Sequence, residues 1–338
     1  QYGMEFLLLG YDMMKGTLDI DYYKNSSWWK NTGDYATYMM IPRNSWNLQN
    51  EIIDFEDSPR YSWYGPEHLY RRLAKMNNDP VMQWHADELV KHNPNSSWEN
   101  IIWYNPAIRS VSNNSRPLFR HFDNMDLVVS RSDYDGNESI VVFKCGAPLG
   151  KKMHDASPDV QSSGDMGHIH PDANHFIIYA NGEYILKNNG YVKRTTKYHN
   201  TLLIDNMGQW GDKNTYYNPW PLSPSRDPFI TEAQSVNGVD YMTGDASKAY
   251  MDEAGLTKFV RKLIYIKDAD MVIVYDRLAS TMVRTHSLLF YPEVEAIAET
   301  PFLVTSVTSK NKVRFENLSP SVSSITLATM EIEARGSN

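Results

Sequence analysis

The dipeptide Asn181-Gly182 constrains this chain more than any other feature. Asparagine and glycine tolerate the positive φ angles of a type I′ turn. The flanking runs, Phe176 to Ala180 and Tyr184 to Leu186, are apolar and rich in aromatic and β-branched residues. The pattern predicts a β-hairpin with Ala180 opposite Glu183. Counting outward sets His175 beside Asn188, with His170 in the approach and Gly190-Tyr191 in the exit; cross-strand partners lie ~5 Å apart at Cβ. A third strand is expected over Thr201 to Asp205, so that His199 and Asn200 at its entrance return to the same sheet end. Three polar clusters converge there.

Four of the ten histidines, His168, His170, His175 and His199, fall in this stretch. The pair His168-x-His170 places two imidazoles on one side of an extended segment, because side chains in such a segment alternate with period two. That arrangement suits a metal ligand beside a catalytic base or acid. Zinc takes neutral imidazole and oxygen donors, and His170, Asn188 and His199 offer N, O and N with one position left open. His68, His85, His92, His121, His154 and His286 stand alone in the sequence and read as ordinary surface or core residues.

The run HIHPDANHF, followed by NGEYIL, NNGY and KYHNTLLIDNMGQ, resembles the central signature of the heparinase II/III-like polysaccharide lyases, especially their heparinase II branch. The likeness extends more loosely through FDNMDLVVSRSDY upstream and through GDASKAY and RKLIYIKDADMVIVYDRL downstream, so it covers most of the chain from Pro117 onward. It implies an α/α toroid followed by an antiparallel β-sandwich, and cleavage of uronate-containing polysaccharide by β-elimination in the cleft between them. By position, His168 resembles the catalytic histidine, and His170, Asn188 and His199 fall where the family binds a structural zinc. Asn188 departs from the aspartate usual there, which removes a negative charge and weakens the expected zinc site. QYGMEF resembles the segment carrying the catalytic tyrosine, so Tyr2 is the expected phenol and Tyr11 the second choice.

Composition agrees with a globular chain of two domains: 338 residues, 41% hydrophobic, with no low-complexity tract. No apolar run approaches the ~20 residues of a membrane span. The single cysteine, Cys145, excludes an internal disulfide. A net charge of -8 argues against nucleic-acid binding. Yet Lys187, Lys193, Arg194 and Lys197 crowd the hairpin exit, with Lys151 and Lys152 ahead of His168. A local anion site on an acidic protein is one reading and a solvated charged face is the other, since exposed charges act over only ~8 Å at physiological salt.

Residues 1–115 read as mostly helical. Pro66 introduces Leu69, Leu73 and Met76 at helical spacing, Asp79-Pro80 starts another helix through Trp84 to Val90, and Ser96 or Ser97 caps a third. Gln1 to Gly10 reads as a helix without a cap, as if the chain began inside a domain and further toroid helices preceded it. From about 116 to 338 the period becomes that of strands: Leu127 to Ser130, Ser139 to Phe143, Phe259 to Ile266, Met271 to Tyr275 and Ser287 to Tyr291, with a hairpin at Lys267 to Asp270. No crossover helix intervenes, which predicts stacked antiparallel sheets. The fold expected is therefore α+β. Two long loops, Ala147 to Gly167 and Asn206 to Glu232, break the pattern, and the second carries Trp210, Tyr216, Tyr217 and Trp220, whose rings either stack on sugars or are pinned to the surface by neighbouring prolines.

On this reading Tyr2 and His168 exchange protons with the substrate, and Tyr191 and Trp210 contact the sugar. Lys193 and Arg194 hold carboxylate or sulfate groups, and His170, Asn188 and His199 brace the hairpin around zinc. Asp172 is read as orienting an imidazole or as an ordinary turn residue. A heparin- or heparan-sulfate-like polymer is the leading substrate. Alginate or another uronate polymer, uronyl C5-epimerisation and simple acidic-glycan binding are the alternatives. The resemblance implies a periplasmic or secreted protein; the oligomeric state is open, with a homodimer among the options.

Overall fold

The computed structural model describes residues 2–24, 26–41, 52–56, 67–92, 97–156, 168–188, 194–212, 223–318 and 325–328, with the side chains of Tyr2 and His92 outside that set. Helices come first: α1 (Tyr2–Leu18), α2 (Ser27–Met39), α3 (Glu67–Asn77), α4 (Pro80–His92) and the single turn α5 (Asn100–Trp103). The start of α4 follows the expected chemistry. Asp79 Oδ1 accepts the N–H groups of Val81 at 2.9 Å and Met82 at 3.3 Å, and Pro80 occupies the first turn, where no N–H is needed. Pro66 and Ser96 lie outside the described residues. The turn before α5 is closed by Ser97, whose carbonyl accepts Asn100 N–H at 3.2 Å.

Strands follow. β1 (Phe119–Phe122), β2 (Leu127–Arg131), β3 (Ile140–Lys144), β4 (His175–Ala180) and β5 (Glu183–Leu186) form an antiparallel sheet in sequence order, and a helical turn, α6 (Lys151–His154), lies inside the first long loop. β6 (Leu202–Ile204) stands apart. β7 (Phe229–Val236), β8 (Val239–Asp245), β9 (Leu256–Ile266) and β10 (Met271–Ser280) make a second antiparallel sheet. The two sheets stack through Val128, Val141, Phe143 and Phe176 on one side and Met242, Phe259, Leu263 and Tyr265 on the other, all buried. This is the sandwich expected.

The first sheet is buried on its other face as well, where Leu127, Val129, Val142, Ile177 and Tyr179 pack against Tyr38, Met39, Ile41, Ile53 and Phe55. That explains why β2 and β3 read as continuous apolar runs rather than as alternating ones. Hydrogen bonds join the same layers, with Tyr38 Oη donating to Pro117 O at 2.9 Å and Tyr184 Oη to Ile52 O at 3.1 Å. The helical residues are thus the third layer of the structure.

Three expectations change. The hairpin turn is as predicted, with Asn181 at φ 49°, Gly182 at φ 83° and Ala180 opposite Glu183. A bulge follows immediately, so Ile178 pairs with Leu186 and the regular count that set His175 beside Asn188 fails by one residue. The strand at Leu202–Ile204 joins β11 (His286–Leu288) in a separate two-stranded sheet rather than extending the hairpin. The loop expected to run to Glu232 ends earlier, because β7 begins at Phe229.

β1 and five later strands were not read from the sequence. β7 and β8 meet at Asn237-Gly238, with φ 51° and 77°, the same turn signal as the first hairpin. β12 (Ala296–Thr300), β13 (Leu303–Val307) and β14 (Lys312–Glu316) form a further sheet, of which only the general strand-rich character was foreseen. Its β13–β14 turn caps the first hairpin: Asn311 Nδ2 donates to Ala180 O at 3.1 Å and to Glu183 Oε2 at 2.9 Å.

Candidate active site

Asn200 gathers the histidine segments. Its backbone N–H donates to His175 Nδ1 at 2.8 Å, its Nδ2 donates to Phe176 O at 2.8 Å and Lys187 O at 3.0 Å, and its Oδ1 accepts Tyr291 N–H at 2.6 Å. The predicted convergence of the three segments therefore occurs. It is made by one residue, through its backbone N–H and its side-chain amide, not by strand pairing.

Behind it lies Arg261 on β9, fully buried. Its Nε and Nη2 form a two-pronged pair with Asp276 at 2.8 Å each, and its Nη1 donates to Asn174 O at 2.8 Å and Asn200 O at 2.7 Å. Such a fork satisfies a buried guanidinium while fixing two loops at once. Gln209 does the same for the turn after His170, donating from Nε2 to Ala173 O at 2.9 Å and accepting Ala173 N–H on Oε1 at 2.8 Å. Asn200, Gln209, Arg261 and Asp276 lie in the stretches that carried the family likeness, yet their roles were missed. A hydrogen bond between residues 85 or more positions apart, such as Arg261 to Asn174, leaves no local periodic trace.

The imidazoles themselves are close-set. The His199 ring centroid lies 5.2 Å from that of His170 and 5.2 Å from that of His175, and all three side chains are buried. Burial, with the neighbouring histidines His175 and His170 and the Lys144 charge, holds the His199 pKa well below the usual imidazole value. His175 is likewise depressed by burial, then by Lys144 and Arg261. Both are neutral at pH 7. His175 accepts a hydrogen bond on Nδ1, so its proton sits on Nε2 and that ring offers no lone pair to a metal. His199 Nδ1 lies 2.9 Å from Asn188 Oδ1, and its Nε2 is buried with no hydrogen-bond partner among the described residues. A neutral ring donating Nδ1–H to the amide leaves Nε2 with a lone pair, which is the state a metal ligand needs.

His168 differs from its neighbour. It is exposed while His170 is 3% exposed. The expected shared orientation fails because β4 begins only at His175, so the residues before it are not a strand and do not alternate. Asp172 is committed to an ammonium: its Oδ1 accepts from Lys144 Nζ at 2.7 Å, and Glu56 Oε1 accepts from the same ammonium at 2.7 Å. Burial opposes the Lys144 charge, but the two carboxylates outweigh it and raise that pKa. A pocket lined by His170, Asp172, Gln209, Trp210 and Arg226 opens beside the cluster. Trp210 there is half-buried, with the Arg226 guanidinium 4.7 Å from its ring centroid.

The basic patch is weaker than its sequence suggests. Lys151 pairs with Asp126 at 2.6 Å and Lys187 with Glu293 at 3.1 Å, whereas Lys197 is exposed and Arg194 half-buried. Tyr191, Lys193, Tyr216, Tyr217 and Trp220 lie outside the described residues, as does the side chain of Tyr2. Among the described residues one other group has metal-ligating character: Glu5, His68 and Glu99 offer atoms within 4.8 Å of one another.

Solved structures share the fold. A heparan sulfate lyase, HepC, from Pedobacter heparinus matches with a TM-score of 0.56 at 15% identity, over 82% of this chain and 38% of that one. Heparinase III matches with a TM-score of 0.52 at 16% identity, over 83% of this chain and 39% of that one. The chain thus spans less than two-fifths of their length. The model of the heparinase II/III-like C-terminal domain matches residues 114–325, more than half of the chain, and takes in every strand of both stacked sheets and the whole histidine cluster. This chain belongs to the heparinase II/III-like family.

Proposed function

We propose that this chain forms part of a polysaccharide lyase that cleaves uronate-containing acidic polysaccharide, of the heparin or heparan sulfate type, by β-elimination. The observation that carries the reading is the division of labour between His168 and its neighbours: one exposed imidazole, carried by a loop that leads into the buried histidines His170, His175 and His199, of which His175 and His199 are held neutral by burial. Residues 1–115 would be the end of an α/α toroid and 116–338 the sandwich. Phe6, Met13 and Ile101, exposed by 71, 70 and 85%, are apolar surface that further toroid helices would cover.

Removing the C5 proton of a uronate builds negative charge beside an existing carboxylate, so a donor must face that carboxylate. His168 and Tyr2 would exchange protons with C5 and with the departing O4, in an order set by the uronate epimer. Trp210 and Tyr191 would contact sugar rings, and Lys193 and Arg194 would hold carboxylate or sulfate groups. His170 and His199 would hold a structural zinc. Asn188 would orient His199 through the Nδ1–H bond, and its amide oxygen is the third donor of the expected set. Zinc, when bound, supplies bracing of the hairpin and no acid–base step. A secreted or periplasmic location suits a polymeric substrate.

Incubation with heparin, heparan sulfate, chondroitin sulfate and alginate is the test. The expected result is a rise in ultraviolet absorbance from the unsaturated uronate, abolished by His168→Ala. Exchange of solvent deuterium into C5 without chain cleavage would instead mark an epimerase, and binding that survives His168→Ala with no product would mark a glycan-binding module. Either result overturns the lyase reading.

A further inference from the structure

We propose a second metal site, for a divalent transition-metal ion of the zinc class, formed by Glu5 of α1, His68 of α3 and Glu99 of the turn before α5. Their ligand atoms lie within 4.8 Å of one another, and His68 Nε2 is 3.6 Å from Glu5 Oε2. That separation is too long for a hydrogen bond, whose donor–acceptor distance runs to ~3.2 Å. It is close to the ~3.4 Å between two ligands held at about 2.1 Å in tetrahedral geometry.

Burial sharpens the case. His68 and Glu99 are 5% and 3% exposed, and neither ring nitrogen of His68 has a hydrogen-bond partner among the described residues. His68 stood in the sequence as an ordinary packing histidine; a packing histidine buried this deeply satisfies at least one nitrogen. Instead the ring lies against Trp103, with centroids 5.7 Å apart and planes 29° from parallel, which fixes its edge toward the carboxylates. The nearby cation Arg72 is committed elsewhere, donating from Nε to Asp12 Oδ2 at 3.0 Å. Among the described residues, two carboxylates and an imidazole therefore share a mostly buried space with no lysine or arginine paired to them. A dication would leave the group neutral, and one nitrogen with two oxygens is a donor set that zinc accepts and magnesium does not favour.

The surroundings already hold these ligands. Ser97 Oγ donates to Glu99 Oε2, while Glu67 Oε1 accepts Ser97 N–H at 3.0 Å and Asn100 Nδ2 at 2.7 Å, fixing the turn that carries Glu99. A metal here would tie α1, α3 and the α5 turn together. Glu5 stands three residues after Tyr2 on α1, so the clamp would also fix the helical turn on which the proposed catalytic tyrosine is carried. The site is independent of the lyase reading and separate from the His170–His199 cluster.

The test is zinc stoichiometry by equilibrium dialysis of the chelator-treated chain against zinc sulfate, with magnesium as control. Glu5→Gln keeps side-chain volume at a position 27% exposed, so it retains the fold, checked by circular dichroism. Glu5→Gln and His68→Gln are each expected to bind one equivalent less than the wild type, whereas His199→Asn keeps that equivalent. Cobalt substituted at the site gives visible d–d bands that Glu5→Gln removes. Wild-type stoichiometry in a folded Glu5→Gln variant, with unaltered cobalt bands, would overturn the site.

Discussion

His199 Nδ1 and Asn188 Oδ1 stand 2.9 Å apart in a buried contact, joining the exit of the first hairpin to the entrance of β6. The partner is a neutral amide, so the ring gains orientation but little basicity. Asn188→Asp would add a negative charge against Nδ1–H and strengthen Nε2 as a ligand. Zinc affinity at His170 and His199 is expected to rise roughly 10- to 100-fold, measured by competition with a chelator. An unchanged affinity would exclude His199 from metal binding.

Arg261 and Asp276 brace the same region from below. Arg261→Met strands a carboxylate that is 6% exposed and frees two buried carbonyls, so a loss of about 3–5 kcal/mol is expected in denaturant unfolding. Arg261→Met combined with Asp276→Leu should recover part of that loss, because no buried charge then lacks a partner. Equal losses in the single and double variants would show that the carbonyl contacts, not the ion pair, dominate.

His85 on α4 supplies a pH dependence. Burial, then the charges of Arg131 and Arg116, push its pKa down to about 3, and its Nε2 lies 3.0 Å from Thr37 Oγ1. The folded value is below that of the unfolded chain, so the unfolded state binds the proton more tightly. The full contribution is present above about pH 6.5 and declines as pH falls toward 3, at up to about 1.4 kcal/mol per pH unit. His85→Gln should flatten the fall in stability below pH 6.5. Parallel pH profiles for the two proteins would refute the assignment.

Gly244 on β8 packs tightly against Asn174 and Cys145, which flank β4 and β3. A Cβ there would lie 2.3 Å from Asn174 Oδ1 and 2.6 Å from the Cys145 Cβ, both on buried side chains. Gly244→Ala is expected to cost about 1–3 kcal/mol through overpacking, read as a lowered thermal midpoint. Full stability would mean that the sheets part easily at this edge.

What the sequence determined by itself is what neighbours in the chain can encode. Asn181-Gly182 fixes a tight turn because only certain residues accept positive φ, and Asp79-Pro80 fixes a helix start because the carboxylate satisfies N–H groups two and three residues on. Apolar runs at β2, β3 and β4 marked strands, and the order of the histidine motifs marked the candidate site. The same turn signal at Asn237-Gly238 was present and went unused.

Tertiary structure decided the rest. The bulge between Ile178 and Tyr179, the transfer of β6 to a sheet with β11, the pairing of Asp172 with Lys144 and the bracing by Asn200, Gln209 and Arg261 depend on groups brought together by the fold. Each is settled by the cost of leaving a buried polar group without a partner. That cost exists only once the sheets have stacked and excluded water, so no local pattern of residues announces it.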